Sequence, residues 1–255
     1  NMESQTFCKA LLKLGDVEQI TNHFGKSAQW YDKALEAAQS LDLWNIAAFA
    51  LNGLGLVASD QNDQKTALAY LRDSLDYAHQ SKNINAIGTV LSNLGAVALA
   101  CGEYDEAEMY YEEMMKLIEP MRHKHPHLQL PCLANLGEIA YKKGDFLLGR
   151  QRSIECIQLS HQLGHRVPIA YQLEVLAKIE ASEGKGRIAA VYYGAAKTLR
   201  ETINFPVSPR EQDNYREGID LIKAHLSEQE FAAAWQEGEA IPLDTLVAQI
   251  TASAD

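Results

Sequence analysis

Asn93-Leu94-Gly95, then Gly102-Glu103-Tyr104-Asp105-Glu106-Ala107, then Tyr111: this spacing is repeated along the chain. A Leu-Gly pair is followed seven residues later by a turn former, five further on by a small residue, and four after that by a large one. Leu14-Gly15, Leu54-Gly55, Leu136-Gly137 and Leu176-Ala177 occupy the same place, and in chain order the five pairs stand 40, 40, 42 and 40 residues apart. Leu11, Leu51, Leu91, Leu133 and Leu173 precede those leucines by three residues, so each unit sets two large side chains on one helical face. The turn formers are Asn22, Asn62, Gly102, Gly144 and Gly184. Beyond them come Ser27, Ala67, Ala107, Gly149 and Ala189, and then Tyr31, Leu71, Tyr111, Ser153 and Tyr193, in the spacing of a second helix. A Gly inside a helix costs about 1 kcal/mol relative to Ala, so four in register require a packing reason, the close approach of that second helix.

Leu-Gly in one helix, a Gly-containing turn and Ala-aromatic-Ala in the next resembles the tetratricopeptide repeat, over about residues 5 to 200. The step of 40 exceeds the family's usual period of about 34, as in long-period arrays of bacterial signalling regulators. Propeller blades of similar period need strands, and HEAT arrays give no reason for the Leu-Gly and turn-Ala pattern. The resemblance implies an all-α, right-handed α-α superhelix of five helical hairpins plus a C-terminal helical cap. The expected units are 5–40, 43–80, 84–119, 127–162 and 167–200, with the cap over 201–255.

Past Ala196 the register ends. Asn204-Phe205-Pro206-Val207 breaks the helix, and Ser208-Pro209-Arg210-Glu211 reads as a helix start. Ser227-Glu228-Gln229-Glu230 reads as a capping box, and Pro242 opens a last short helix. A solenoid end needs such a cover. Tyr192-Tyr193-Gly194-Ala195-Ala196 with Phe231-Ala232-Ala233-Ala234-Trp235-Gln236-Glu237-Gly238 is similar to the C-terminal ends of bacterial STAND-class and LuxR-like regulators. That resemblance implies a nucleotide-switch domain elsewhere in the same full-length protein. An Asn ahead of a Met at the start also reads as a cloning remnant on one piece of a longer chain.

The charge of −11, from 34 acidic against 23 basic residues, repels phosphate backbones and excludes direct nucleic-acid binding. Hydrophobic residues make up 47% and prolines number only seven, which excludes disorder. The dispersed Cys8, Cys101, Cys132 and Cys156 read as small core residues in a reducing cytoplasm. The apolar windows 46–58 and 90–101 are too short to span a bilayer, so no membrane helix is expected.

No P-loop, G-x-S-x-G or H-E-x-x-H occurs, and no carboxylate stands in an apolar setting. No catalytic residue, enzyme activity or cofactor is expected. His123, His125 and His127, with His161 and His165 in the next linker, are the only candidates for a metal, and they lack a closed-site spacing.

In the tetratricopeptide family the concave face is lined by the first helix of each hairpin, opposite the packed leucines. Carried over, the groove is Lys9, Leu12, Asp16 and Gln19; Phe49, Asn52, Leu56 and Ser59; Thr89, Ser92 and Leu99; Glu138 and Tyr141; Tyr171, Glu174 and Lys178. Asp16 and Leu56 stand where a carboxylate clamp would want asparagines, and Phe49, Leu56 and Leu99 suggest an apolar floor instead. The expectation is a non-enzymatic module that binds a protein or peptide, the scaffold or sensor part of a larger cytoplasmic bacterial regulator. The alternative is a small-effector or metal-sensing domain whose superhelix responds to its ligand.

Overall fold

The structure, a computed structural model, describes residues 2–209 and 211–252, with only the backbone of Met2. It divides into two compact units, Asn1–Glu119 and Pro120–Asp255. The first holds α1 (Met2–Ile20), α2 (Phe24–Gln39), α3 (Trp44–Asp60), α4 (Gln64–Ser81), α5 (Ile84–Cys101) and α6 (Tyr104–Ile118). The second holds α7 (Leu130–Lys142), α8 (Phe146–Gln162), α9 (Arg166–Ser182), α10 (Gly186–Thr202), α11 (Gln212–Lys223), α12 (Glu228–Ala240) and α13 (Leu243–Ala252). Short 3₁₀ turns at Glu119–Met121 and Pro126–Gln129 account for the two extra residues in the third repeat step. Among the described residues there is no strand.

Consecutive helices pair as antiparallel hairpins, α1 with α2 through α9 with α10. Each hairpin turns on a residue with left-handed backbone: Asn22, Asn62, Gly102, Gly144 and Gly184, with φ between 60° and 80°. These are the turn formers of the repeat, and Gly or Asn bears that conformation at least cost. Asp63, Asn83 and Asp145 cap the next helix by accepting its early backbone N–H groups.

The register glycines make room for side chains rather than for backbone alone. A Cβ on Gly95 would lie 2.6 Å from the Tyr111 ring, and one on Gly15 or Gly53 would lie 2.6 or 2.5 Å from the ring of Tyr31. At Gly55 the neighbours are Leu71 and the Ala67 carbonyl. In the first unit Tyr31, Leu51, Leu54 and Val57 form a shared core with Phe24 and Leu35. In the second, Ile154 and Ile157 of α8 pack on Ile169, Leu173 and Leu176 of α9, and α13 closes that core with Leu246, Val247 and Ile250.

The structure corrects three sequence expectations. Leu14 is 43% exposed, whereas its counterparts Leu54, Leu94, Leu136 and Leu176 are buried. Leu54 shares a core with Tyr31 and Leu176 with Ile154 and Ile157, all from the preceding hairpin, whereas α1 is the first described helix. Cys101 is exposed at the end of α5, whereas the other cysteines are buried. Ser208 does not cap α11, which starts at Gln212; Ser208 and Glu211 instead close a turn, with Arg210 outside the described residues. The Ser227–Glu230 capping box is present with both reciprocal bonds. By length and composition, the 18 residues of α5 with mean hydropathy 1.6 would suit a bilayer. Its buried Val90, Leu91, Leu94 and Val97 account for that hydropathy.

The last helices pack on the fifth hairpin. A Cβ on Gly194 would overlap the Trp235 carbonyl oxygen, and one on Gly238 would overlap that of Val191. Backbone contact of this closeness between α10 and α12 is why both segments are rich in Gly and Ala. α11 lies against α9 and α10, where Ile222 joins Tyr193, Ala189 and Ala234 in one core.

Candidate functional site

In the first unit, Lys9, Leu12, Asp16 and Gln19 of α1 and Phe49, Asn52 and Leu56 of α3 line one cavity of about 370 Å³. Helical spacing brings them together, since residues three, four and seven apart share a face. Leu12, Phe49 and Leu56 give it an apolar floor, and all three are half-buried. Tyr31 of α2 forms the back, its hydroxyl donating to Asp16 Oδ1 (2.9 Å) and Gln19 Oε1 (3.2 Å). Burial, then the Asp16 carboxylate, raises the Tyr31 pKa and keeps it a donor. Gln19 in turn donates to Asp60 at 2.9 Å, and Asn93 donates to the buried Asn52 at 2.7 Å. Lys9 is exposed at the rim, and Lys13 pairs with Asp16 at 2.9 Å. Ser59, Thr89, Ser92 and Leu99 lie outside this cavity.

In the second unit, Glu138, Tyr171, Glu174 and Lys178 line another cavity, of about 510 Å³. Tyr141 is outside it, stacked on Phe146. Glu174 is not a free groove carboxylate. It is buried and accepts from Arg200 through Nε (2.6 Å) and Nη2 (3.1 Å), a bidentate pair. Burial pushes its pKa up even against Arg200. The guanidinium lies 4.4 Å from the centre of the Tyr171 ring and 5.6 Å from that of Phe205. The Tyr171 hydroxyl donates to Glu211 at 2.5 Å, and its pKa is pushed up to about 12 by burial and then by Glu211. Lys178 donates to the Asn214 side-chain oxygen at 2.8 Å, and burial lowers its pKa.

Arg200, Glu211, Asn214 and Tyr215 are site residues that the sequence did not disclose. One signal was present: Arg200 stands seven residues after Tyr193 and four after Ala196, a charge on the buried face of α10. The contribution of α11 had no such signal.

The histidines are dispersed. Among the described residues no three His, Cys, Asp or Glu side chains form a metal-sized group. His125 and His127 touch edge to face at 5.9 Å, His161 pairs with Asp244 at 2.8 Å, and His123 and His165 are exposed.

Residues 6–79 match one tetratricopeptide repeat family model and residues 88–119 match another. Residues 6–79 and 88–119 therefore carry tetratricopeptide repeats. Among solved structures, BtubC (BKLC) from P. vanneervenii is similar at 16% identity and TM-score 0.63, with 90% of this chain and 91% of that one covered. A putative kinesin light chain with nearly identical TPR-like repeats, from Podosopora anserina, is similar at 11% identity and TM-score 0.65, covering 81% and 99%. At these identities the likeness establishes the fold, an all-α solenoid of helical hairpins. No curated protein matches the sequence significantly.

Proposed function

We propose that the chain is a non-enzymatic binding module that holds a peptide segment of a partner protein against the inner face of its first hairpins. Tetratricopeptide repeats generally mediate protein–protein binding and are typically scaffolds. The observation that carries the proposal is the cavity between α1 and α3, where Leu12, Phe49 and Leu56 form an apolar floor under a rim of Lys9, Lys13 and Asp16. An apolar floor with a few polar groups at its edge suits an apolar side chain anchored in an otherwise polar peptide. Asn52, held by the amide of Asn93, is the amide that lines the cavity and can bond to its backbone.

In this proposal residues 5–200 are the binding array and 201–255 its cover. The larger protein is a cytoplasmic regulator in which a nucleotide-switch domain reads the state of the array. Support for that context is the likeness of segments 192–196 and 231–238 to regulator C-termini, and the four free cysteines fit a reducing compartment. A second reading, a domain that senses a small effector, draws its support from the cavity of the second unit.

Selection of a random peptide library on the full chain tests the proposal, with Phe49→Asp as the counter-target. Selected peptides should share an apolar anchor and lose about tenfold or more in affinity for the variant. Peptides that bind wild type and Phe49→Asp equally well would refute the placement.

A further inference from the structure

The outer side of α1 carries an apolar stripe. Phe7, Ala10, Leu14 and Val17, spaced three, four and three along one helical face, are all exposed, Phe7 at 60% and Val17 at 58%. Lys9, Leu12, Asp16 and Gln19, which line the first cavity, stand on the opposite side of the helix. The residues in the same register in α3, α5 and α9 are without exception buried. Val57, Val97 and Ile179, the counterparts of Val17, are no more than 5% exposed. In each of these three helices the cover is the second helix of the preceding hairpin: α2 packs on α3, α4 on α5 and α8 on α9. The α2 case gives the pattern of such a cover. Phe24, Ala28, Tyr31, Leu35 and Ala38, spaced four, three, four and three, share cores with Ala47, Leu54 and Val57 of α3.

A contiguous apolar stripe in contact with water marks an interaction surface. We infer that this one is the docking surface for the second helix of a further tetratricopeptide hairpin of the same full-length protein, stacked on α1 as α2 stacks on α3. Continuity with the three existing interfaces carries the inference. Leu14 and Val17 are matched by Leu54 and Val57 and by Leu94 and Val97, so a helix that fits those faces fits this one. The occupant belongs to the same polypeptide because turns of two to four residues join α2 to α3, α4 to α5 and α8 to α9, and such turns fix the register of cover and covered. A second copy of the chain offers less. In α2, α4 and α8 the corresponding face is taken by α3, α5 and α9, and in α10 by α11 and α12. The stacked hairpin extends the inner face by one unit beyond Lys9 and Asp16. The inference rests on the proposed function in one respect, that the chain is part of a larger protein.

The test is the rate at which N-ethylmaleimide labels Val17→Cys in a Cys101→Ser background, since the other three cysteines are buried. Three forms are compared: this chain, the full-length protein, and this chain with a copy of residues 43–83 placed directly ahead of Ser4. That junction gives α1 the register that α5 has after α4. Labelling should be fast in this chain and about tenfold or more slower in the other two, because it then requires the hairpin to open. A second extension, residues 3–43 copied to the same place with Cys8→Ala, covers the case of a misfolded first one. Leu14→Asp, at a position exposed in this chain, should restore fast labelling in both longer forms. The inference is overturned if the full-length protein labels as fast as this chain, or if Leu14→Asp leaves the protection intact. Protection in the full-length protein but in neither folded extension overturns it too, because the occupant is then no hairpin of this type. So does a dimer of this chain in sedimentation that Val17→Asp disperses, which makes a second copy the occupant. Peptide selection against Phe49→Asp reads the other side of α1, so the groove and this surface can fail separately.

Discussion

Two glycines of α5, seven residues apart, separate the packing role of the Leu-Gly motif from simple helix propensity. Replacing either Gly88 or Gly95 with Ala removes a helix-interior glycine, worth about 1 kcal/mol in favour of the variant. At Gly88 the new Cβ meets nothing nearer than Leu117 Cδ2 at 3.9 Å, an ordinary contact. At Gly95 it would stand 2.6, 2.7 and 3.0 Å from Cε2, Cζ and Cδ2 of Tyr111, whose side chain is fully buried. Carbon atoms prefer about 3.5–4.0 Å, so the ring must withdraw by about 1 Å within a packed core. Overpacking of that kind costs about 1–3 kcal/mol. Gly88→Ala should therefore stabilise the first unit by up to about 1 kcal/mol. Gly95→Ala should fall about 1–3 kcal/mol below it, near or under wild type. Urea unfolding followed by far-ultraviolet circular dichroism, with matched slopes, measures the difference. If Gly95→Ala proves as stable as Gly88→Ala, the glycine is not there to admit the ring, and the account of the repeat register fails.

Leu94→Ala should cost about 2–5 kcal/mol because that side chain is wholly buried, whereas Leu14→Ala, at the same register position but 43% exposed, should cost less than about 1 kcal/mol; denaturant midpoints compare them. Lys82 ends α4 in left-handed conformation at φ 55°, so Lys82→Gly should raise the melting temperature by relieving strain of up to about 1 kcal/mol. For Glu211, burial pushes the carboxyl up, but hydrogen bonds from Tyr171 and Ser208 outweigh it and leave the pKa below 4.5. Its stabilising effect is thus complete above that value and lost as pH falls through the lowered one. Glu211→Gln should be less stable than wild type at neutral pH, and the two should converge in acid, as thermal melts across that range would measure.

The hairpins were legible because every signal that specifies them is local. A turn former seven residues after the Leu-Gly pair has to adopt a left-handed backbone, and Asn22, Asn62, Gly102, Gly144 and Gly184 do so. The first cavity was legible for the same reason. The family resemblance assigns the groove to one face of the first helix of each hairpin, and seven residues on that face of α1 and α3, Lys9, Leu12, Asp16, Gln19, Phe49, Asn52 and Leu56, line one cavity. Leu14 shows the limit. Register gives the direction of a side chain relative to its own helix, but burial depends on whether another hairpin lies over that face. In the same way Ser208 carried a capping pattern, but the Glu211 carboxylate that should have completed it also accepts from Tyr171, forty residues earlier.

The second cavity lies beyond register because its decisive pairs join elements of different kind. Glu174 and Lys178 occupy the positions that the repeat assigns to an inner groove, and there they would ordinarily face solvent. Arg200 comes from the end of α10 and Asn214 from α11, and together they convert that stretch of groove into an enclosed polar interior. In water Lys178 would cost nothing. Enclosed, it loses hydration, and the neutral amide of Asn214 together with the attraction of Glu138, Glu174 and Glu217 offsets only part of that loss, so its pKa is lowered. The cap therefore does more than cover apolar surface. Glu211 and Asn214, which it brings onto α9, give Tyr171 and Lys178 their hydrogen-bond partners.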